Sequence, residues 1–305
     1  MREQGDDRVD AIREAETLAD LSELLDTDSI HEAYFRAKRI WESALAEEQS
    51  GRPDPDRLPG TTVVVDGHSI TVHGVTHAGT DAEQASLRTH VQRFLDRGAS
   101  VYCEQGIRPM YFGNVDGVCE MDDYLWATAQ REDIDDRSGF ATVPEGFGTM
   151  SVDFGEVASE IRDATFALID AGSAMYGEQF ERALGDIAAD FLTDHTDRAI
   201  GNSYEAFRLS RDASEDPSRL HALQQYYERT FLPQPLEREW LRRHDPELEL
   251  LSHARNERMA EYVAYHNDRA EEVHLIVGAA HQHGVAYYLE QYQRDKEIPT
   301  AFELY

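Results

Sequence analysis

Two histidines, one glutamate and one arginine stand in this chain where they could do chemistry together: His77, Glu104, Arg255 and His281. Each histidine follows a glycine by three residues, at the end of a run rich in β-branched side chains. The two runs are Ser69-Ile-Thr-Val-His-Gly74-Val-Thr-His77 and Val273-His-Leu-Ile-Val-Gly278-Ala-Ala-His281. Two imidazoles and a carboxylate on one rim, His77, His281 and Glu104, could bind a divalent metal such as manganese, cobalt or zinc. That ion would polarise a carbonyl or activate a water. Without metal, one histidine could act as general base for water while Arg255 orients a partner or stabilises a developing oxyanion. Both routes end in hydrolysis of a peptide or small-molecule substrate.

Residues so far apart in sequence need elements that bring them to one rim. The apolar run 272–277 is of strand length and suits a strand buried on both faces, with His281 just past its carboxyl end. Asp66-Gly67 between two β-branched runs predicts a hairpin over 61–72, whose second arm leads to His77. Thr80 and Glu83 match a capping box opening a helix with Leu87, Val91, Phe94 and Leu95 on one face. Gly98 ends that helix, and a strand over 99–106 stops beyond Glu104. Strand, helix and strand at these lengths form a βαβ unit, so His77 and Glu104 share the carboxyl rim, where open α/β sheets bind ligands. Asp245-Pro246 opens a helix whose apolar stripe, Leu248, Leu251, Met259 and Val263, includes Arg255. A buried guanidinium needs a carboxylate, and Glu104 is the candidate, with Arg108 as the other arginine that could face it.

The expected organisation is an N-terminal helical extension at 1–50, a turn-rich linker at 51–60 and an α/β domain at 61–305. A helical insertion at about 150–245 separates the two Gly-x-x-His halves of the sheet, residues 107–145 read as irregular, and 300–305 as a closing strand. Cys103 reads as a small core residue. His73 belongs to a strand, so its ring should point away from His77, and His283 is a candidate supporting residue beside His281.

Net charge is -31, from 60 acidic and 29 basic residues, only two of them lysine, in 305. With 41% hydrophobic residues the chain is expected to fold despite this charge. Self-repulsion of that size is best tolerated where salt screens it, as in the cytoplasm of a halophilic microbe. No basic cluster suits nucleic acid, no stretch reaches transmembrane length, and the N-terminus lacks a secretory apolar segment. Two cysteines make neither a disulfide framework nor a zinc ribbon. A cytoplasmic protein is expected.

Gly74-Val-Thr-His77, a helix, and a strand ending at Glu104 with Arg108 close behind resemble the TraB/GumN/Tiki family. Arg255-Asn256-Glu-Arg-Met259-Ala260 resembles its second signature, followed by Gly278-Ala-Ala-His281 and Gly284. The resemblance covers roughly 61–110 and 245–305. It implies a split α/β sheet with an inserted helical region, related to the erythromycin-esterase and ChaN-like folds, with the family's site carried onto His77, Glu104, Arg255 and His281. Tiki-like members look like metal-dependent proteases, erythromycin esterases open a lactone without obvious metal, and pheromone-shutdown members act on or bind a signalling peptide. Metal-assisted hydrolysis is therefore the leading expectation, with metal-independent ester hydrolysis and peptide sequestration beside it.

Overall fold

A five-stranded, mostly parallel sheet organises the chain, in the order β1-β2-β5-β3-β4. The computed structural model describes residues 2–48, 57–138, 164–171, 184–185, 201, 203–267 and 270–294. The expected closing strand at 300–305 lies outside them, as does much of the expected helical insertion below residue 203.

The hairpin forms as its sequence predicts. β1 (Thr61–Val65) runs antiparallel to β2 (His68–Val75), and Asp66 and Gly67 make the tight turn with φ of 49° and 85°. Helix α4 (Asp81–Asp96) leads into β3 (Ser100–Cys103), and both β2 and β3 pair in parallel with β5 (Glu272–Gly278). β5 thus sits at the centre, which explains why Val273 to Gly278 are all buried. One face packs under α4, with Ile276 and Val101 against Leu87 and Val91. The other packs Leu275 and Val277 against Met259, Val263, Val285 and Leu289.

Residues 107–138 are more ordered than their composition suggests. A π turn at Arg108–Phe112 is followed by β4 (Val118–Glu120), parallel to β3, and by helix α5 (Asp123–Ser138). Three residues are too few for an alternation pattern, so β4 is set by pairing with β3.

The N-terminal helices α1 (Arg2–Glu14), α2 (Leu18–Leu24) and α3 (Ile30–Glu48) share a core with a later helix. Ile12, Leu21, Tyr34 and Trp41 pack on Leu236, Trp240 and Leu241. There Lys38, one of the chain's two lysines, lies 3.2 Å from the buried carboxylate of Glu237, which also accepts the Tyr34 hydroxyl at 2.5 Å. Helices α6 (Tyr204–Glu215), α7 (Leu220–Thr230) and α8 (Gln234–His244) precede the segment that carries Arg255.

Asp245 caps that segment through Leu248 N, as expected. The helix does not run straight on: a π turn at Leu250–Ala254 separates Pro246–Glu249 from α9 (Arg255–Tyr265). The widened turn rephases the helix, burying Leu250 while Leu251 is only partly covered. Helix α10 (Ala279–Gln293) follows β5 directly. Among the described residues no helix is long and apolar enough to cross a membrane.

Candidate active site

The register sets the site. Val75 of β2 pairs with Gly278 of β5, so His77 and His281 leave the sheet at the same level. Glu104 follows β3 directly, its N–H bonding Ile276 O at 2.9 Å. The three side chains meet at the carboxyl rim. Glu104 Oε2 is 3.6 Å from His77 Nε2, and Oε1 is 3.6 Å from His281 Nε2.

Each Gly-x-x-His unit makes room for the other. A Cβ on Gly278 would lie 2.7 Å from His77 Nε2, and one on Gly74 would lie 2.7 Å from the Ala279 Cα. A larger residue at Gly278 would therefore displace His77, and one at Gly74 would push back the start of the helix that carries His281.

His77 holds a left-handed backbone, φ 63°, uncommon for a residue with a Cβ. The loop around it is tied down by Glu83. The Thr80 side chain accepts from Glu83 N, but the Glu83 carboxylate does not return to the helix cap as a capping box predicts. It accepts from Thr76 N, Thr76 Oγ1, Gly79 N and the Tyr111 hydroxyl instead. That network lies on both sides of His77.

Arg255, not Arg108, faces Glu104. Its Nη2 donates to Glu104 Oε1 at 2.6 Å and to Asp123 Oδ2 at 2.5 Å, its Nε donates to Asp123 Oδ2 at 2.9 Å, and its Nη1 donates to Leu251 O. Four of the five guanidinium hydrogens are thus committed, which makes Arg255 an orienting clamp rather than an oxyanion donor. Asp123 escaped sequence reasoning, since one more acidic residue at a helix start carries no signal of its own.

Burial alone would push the Glu104 carboxyl up. His281, the contact with His77 and the Arg255 guanidinium act against burial and prevail, holding it well below the usual carboxylate range. For His281 burial wins over the pull of Glu104, so the imidazole lies below its ordinary value and is neutral near pH 7. Its Nδ1 faces Asn256 Oδ1 at 2.7 Å. An amide oxygen only accepts, so Nδ1 carries the hydrogen and Nε2, toward Glu104, carries the lone pair. Asn256 reaches this position because Gly284 lets α9 and α10 close up: a Cβ there would overlap its side chain.

A divalent ion fits this cluster poorly. The donor types are right, yet among the described residues no three His, Cys, Asp or Glu side chains converge as ligands. Both Glu104 oxygens already accept hydrogen bonds, one from Arg255 and the other from Gly278 N at 2.8 Å. A second cation beside the guanidinium would meet repulsion.

The remaining candidates lie elsewhere. His73 points to Pro59 and His274. His283 lines a separate cleft against the N-terminal helices. Cys103 is fully buried, and burial with Glu120 nearby pushes its thiol up to about 12, the behaviour of a core residue. Two exposed side chains stand near the site: Tyr124, half exposed, lies over Arg255 at 5.6 Å, and Met110 flanks Gly79 in the His77 loop. No family model, curated protein or solved structure matches the chain.

Proposed function

We propose that this chain is an acyl hydrolase that uses His281 as general base and His77 as general acid, with Glu104 between them. The observation that carries the reading is the neutral His281 imidazole, oriented by Asn256 so that its lone pair faces the carboxylate it shares with His77. Water loses a proton to His281 Nε2 as its oxygen adds to the substrate carbonyl. The tetrahedral adduct then expels the alcohol or amine, which takes a proton from His77. His77, the more exposed ring at 38% against 16%, exchanges most readily with solvent and so suits the acid that must be recharged. Glu104 stabilises whichever ring is positive, and Arg255 keeps Glu104 ionised and fixed.

The exposed side chains of Met110 and Tyr124 suit a substrate with an apolar group next to the scissile bond. The engaged state of Glu104 favours ester hydrolysis without metal over the metal-assisted peptidase route. In the TraB/GumN/Tiki family, which the chain resembles in sequence, the same four positions would form the site, in a sheet split by a helical insertion. That family assignment is part of the proposal.

The test is turnover of a panel of p-nitrophenyl acyl esters in buffered potassium chloride. The wild type is expected to hydrolyse them, with His281→Ala slower by about 10²–10⁴-fold and an unchanged circular dichroism spectrum. Wild-type turnover in His281→Ala would refute the assignment.

A further inference from the structure

Gln234 opens α8 directly after Pro233 and is 1% exposed, although it touches none of the three side chains that meet at the carboxyl rim. Its helix is pinned to the N-terminal helices. Glu237 accepts from the Tyr34 hydroxyl and from Leu232 N, and Glu239 Oε2 accepts from Leu18 N at 2.7 Å. From the other side α10 packs closely on Gln234 itself: a Cβ at Gly284 would lie 2.9 Å from its Cδ.

The amide so held faces two groups. Gln234 Oε1 accepts from Asn256 Nδ2 at 3.0 Å and lies 3.1 Å from Nδ1 of His253, a buried residue of the π turn before α9. An amide oxygen only accepts, so His253 carries its hydrogen on Nδ1. Asn256 in turn offers Oδ1 to Nδ1 of His281 at 2.7 Å. His253, Gln234, Asn256 and His281 therefore form one series, in which each hydrogen bond fixes the direction of the next.

One other arrangement satisfies every contact in the series. Both amides turn over, both rings give up the Nδ1 hydrogen, and His281 carries its hydrogen on Nε2, where it cannot take a proton from water. Turning one amide alone sets oxygen against oxygen or amino group against amino group, and leaves buried polar atoms unpaired. The Glu104 charge, 3.6 Å from His281 Nε2, favours a hydrogen on that nitrogen. His281 can serve as base only where the rest of the series opposes this pull.

We propose that Gln234 is a positioning residue for the hydrolytic site. By presenting its oxygen to both Asn256 and His253, it ties the tautomer of His281 to that of His253 and keeps the Nε2 lone pair available. This rests on the reading of His281 as general base, although the tautomer can be measured without turnover.

Nitrogen NMR of the full chain carrying labelled histidine, at neutral pH and fixed potassium chloride, tests this. The two rings are assigned by their absence from His281→Ala and His253→Phe. In the wild type both should carry the hydrogen on Nδ1. Gln234→Met keeps the volume and leaves Asn256 without an acceptor for its amino group. An unpaired carbonyl is tolerated better than an unpaired amino group, so Asn256 should turn over and the His281 hydrogen move to Nε2. Ester kcat should then fall about tenfold at unchanged KM, in step with the fraction of rings left in the productive tautomer. Gln234→Glu, which can only accept, should keep the wild-type tautomer and restore most of kcat. A wild-type tautomer at His281 in folded Gln234→Met overturns the proposal. So does a hydrogen on Nε2 of His281 in Gln234→Glu or in the wild type, a measurement that holds even where the Met variant fails to fold. Expected tautomers in a wild type that turns over no ester would count against the hydrolase reading alone.

Discussion

Asn256 Oδ1 accepts the Nδ1 hydrogen of His281 at 2.7 Å, and this hydrogen bond decides which imidazole nitrogen can take a proton from water. Asn256→Leu keeps the volume and removes the acceptor, so the ring is free to adopt the other tautomer. The expected result is a fall in kcat of about 10²-fold, with stability lowered by about 1 kcal/mol because the buried Gln234 Oε1 loses its Asn256 donor and keeps only His253. Steady-state kinetics on the folded variant would exclude this role if kcat stayed at the wild-type level.

Arg255→Met leaves Glu104 and Asp123 as two buried carboxylates without their shared cation. Unfolding free energy should drop by about 3–5 kcal/mol, the penalty for breaking a buried pair from one side. Asp123→Asn should cost less, since Arg255 keeps Glu104. Urea titrations at constant salt, monitored by circular dichroism, give both numbers, and the opposite ranking would contradict the clamp.

The two shifted groups make the fold sensitive to acid in the same direction. Glu104 is held low in the folded chain, so its contribution is fully present above the unfolded carboxylate value, about 4.3, and is lost as pH falls through the folded value. His281 is also held low, so below its unfolded value of about 6.5 the unfolded chain takes up a proton that the folded one resists. Stability should therefore decline from about pH 6.5 downward. Glu104→Gln should flatten the more acidic part, as thermal melts from pH 7 to 3 would show. By the same logic the acid limb of kcat should fall below the ordinary histidine value.

Glu83→Gln puts an amide where four donors converge, so one donor of the His77 loop faces another. If His77 delivers the proton to the leaving group, loosening its loop should hurt poor leaving groups most. Alkyl esters should lose far more rate than p-nitrophenyl esters, whose leaving group needs little help. A uniform loss across both classes would point to a purely structural role.

Dialysis against a chelator should leave ester turnover unchanged, because both Glu104 oxygens are already engaged, one by the Arg255 guanidinium and the other by Gly278 N–H. Loss of activity restored by manganese, cobalt or zinc would return the chemistry to a metal held by His77, Glu104 and His281.

What the sequence discloses about this site is what local pattern can encode. The Asp66-Gly67 turn, the apolar β5 run and the two Gly-x-x-His units are short, self-contained signals, and they place His77, Glu104 and His281 on one rim. Arg255 is legible as a charge on an apolar stripe, although the π turn before it is not. Asp123 and the π turns at Arg108 and Leu250 depend on partners distant in sequence, so no nearby residue announces them. Glu83 misleads in part: Thr80 does cap the helix as its spacing signals, while the Glu83 carboxylate is claimed by Thr76 and Gly79 of the His77 loop and by the distant Tyr111.

β5 is the central strand of the sheet and the last strand described in the chain, inserted between β2 and β3. During synthesis the first half of the sheet therefore waits through most of the chain with β2 and β3 each lacking a neighbour. Such unpaired edges are sites of mispairing between chains. Closure also requires pairing between residues about 200 positions apart, a high contact order that slows folding. Assembly of the His77–Glu104–His281 cluster and escape from aggregation would then arrive in one late step, when residues 272–278 dock and carry His281 to Glu104.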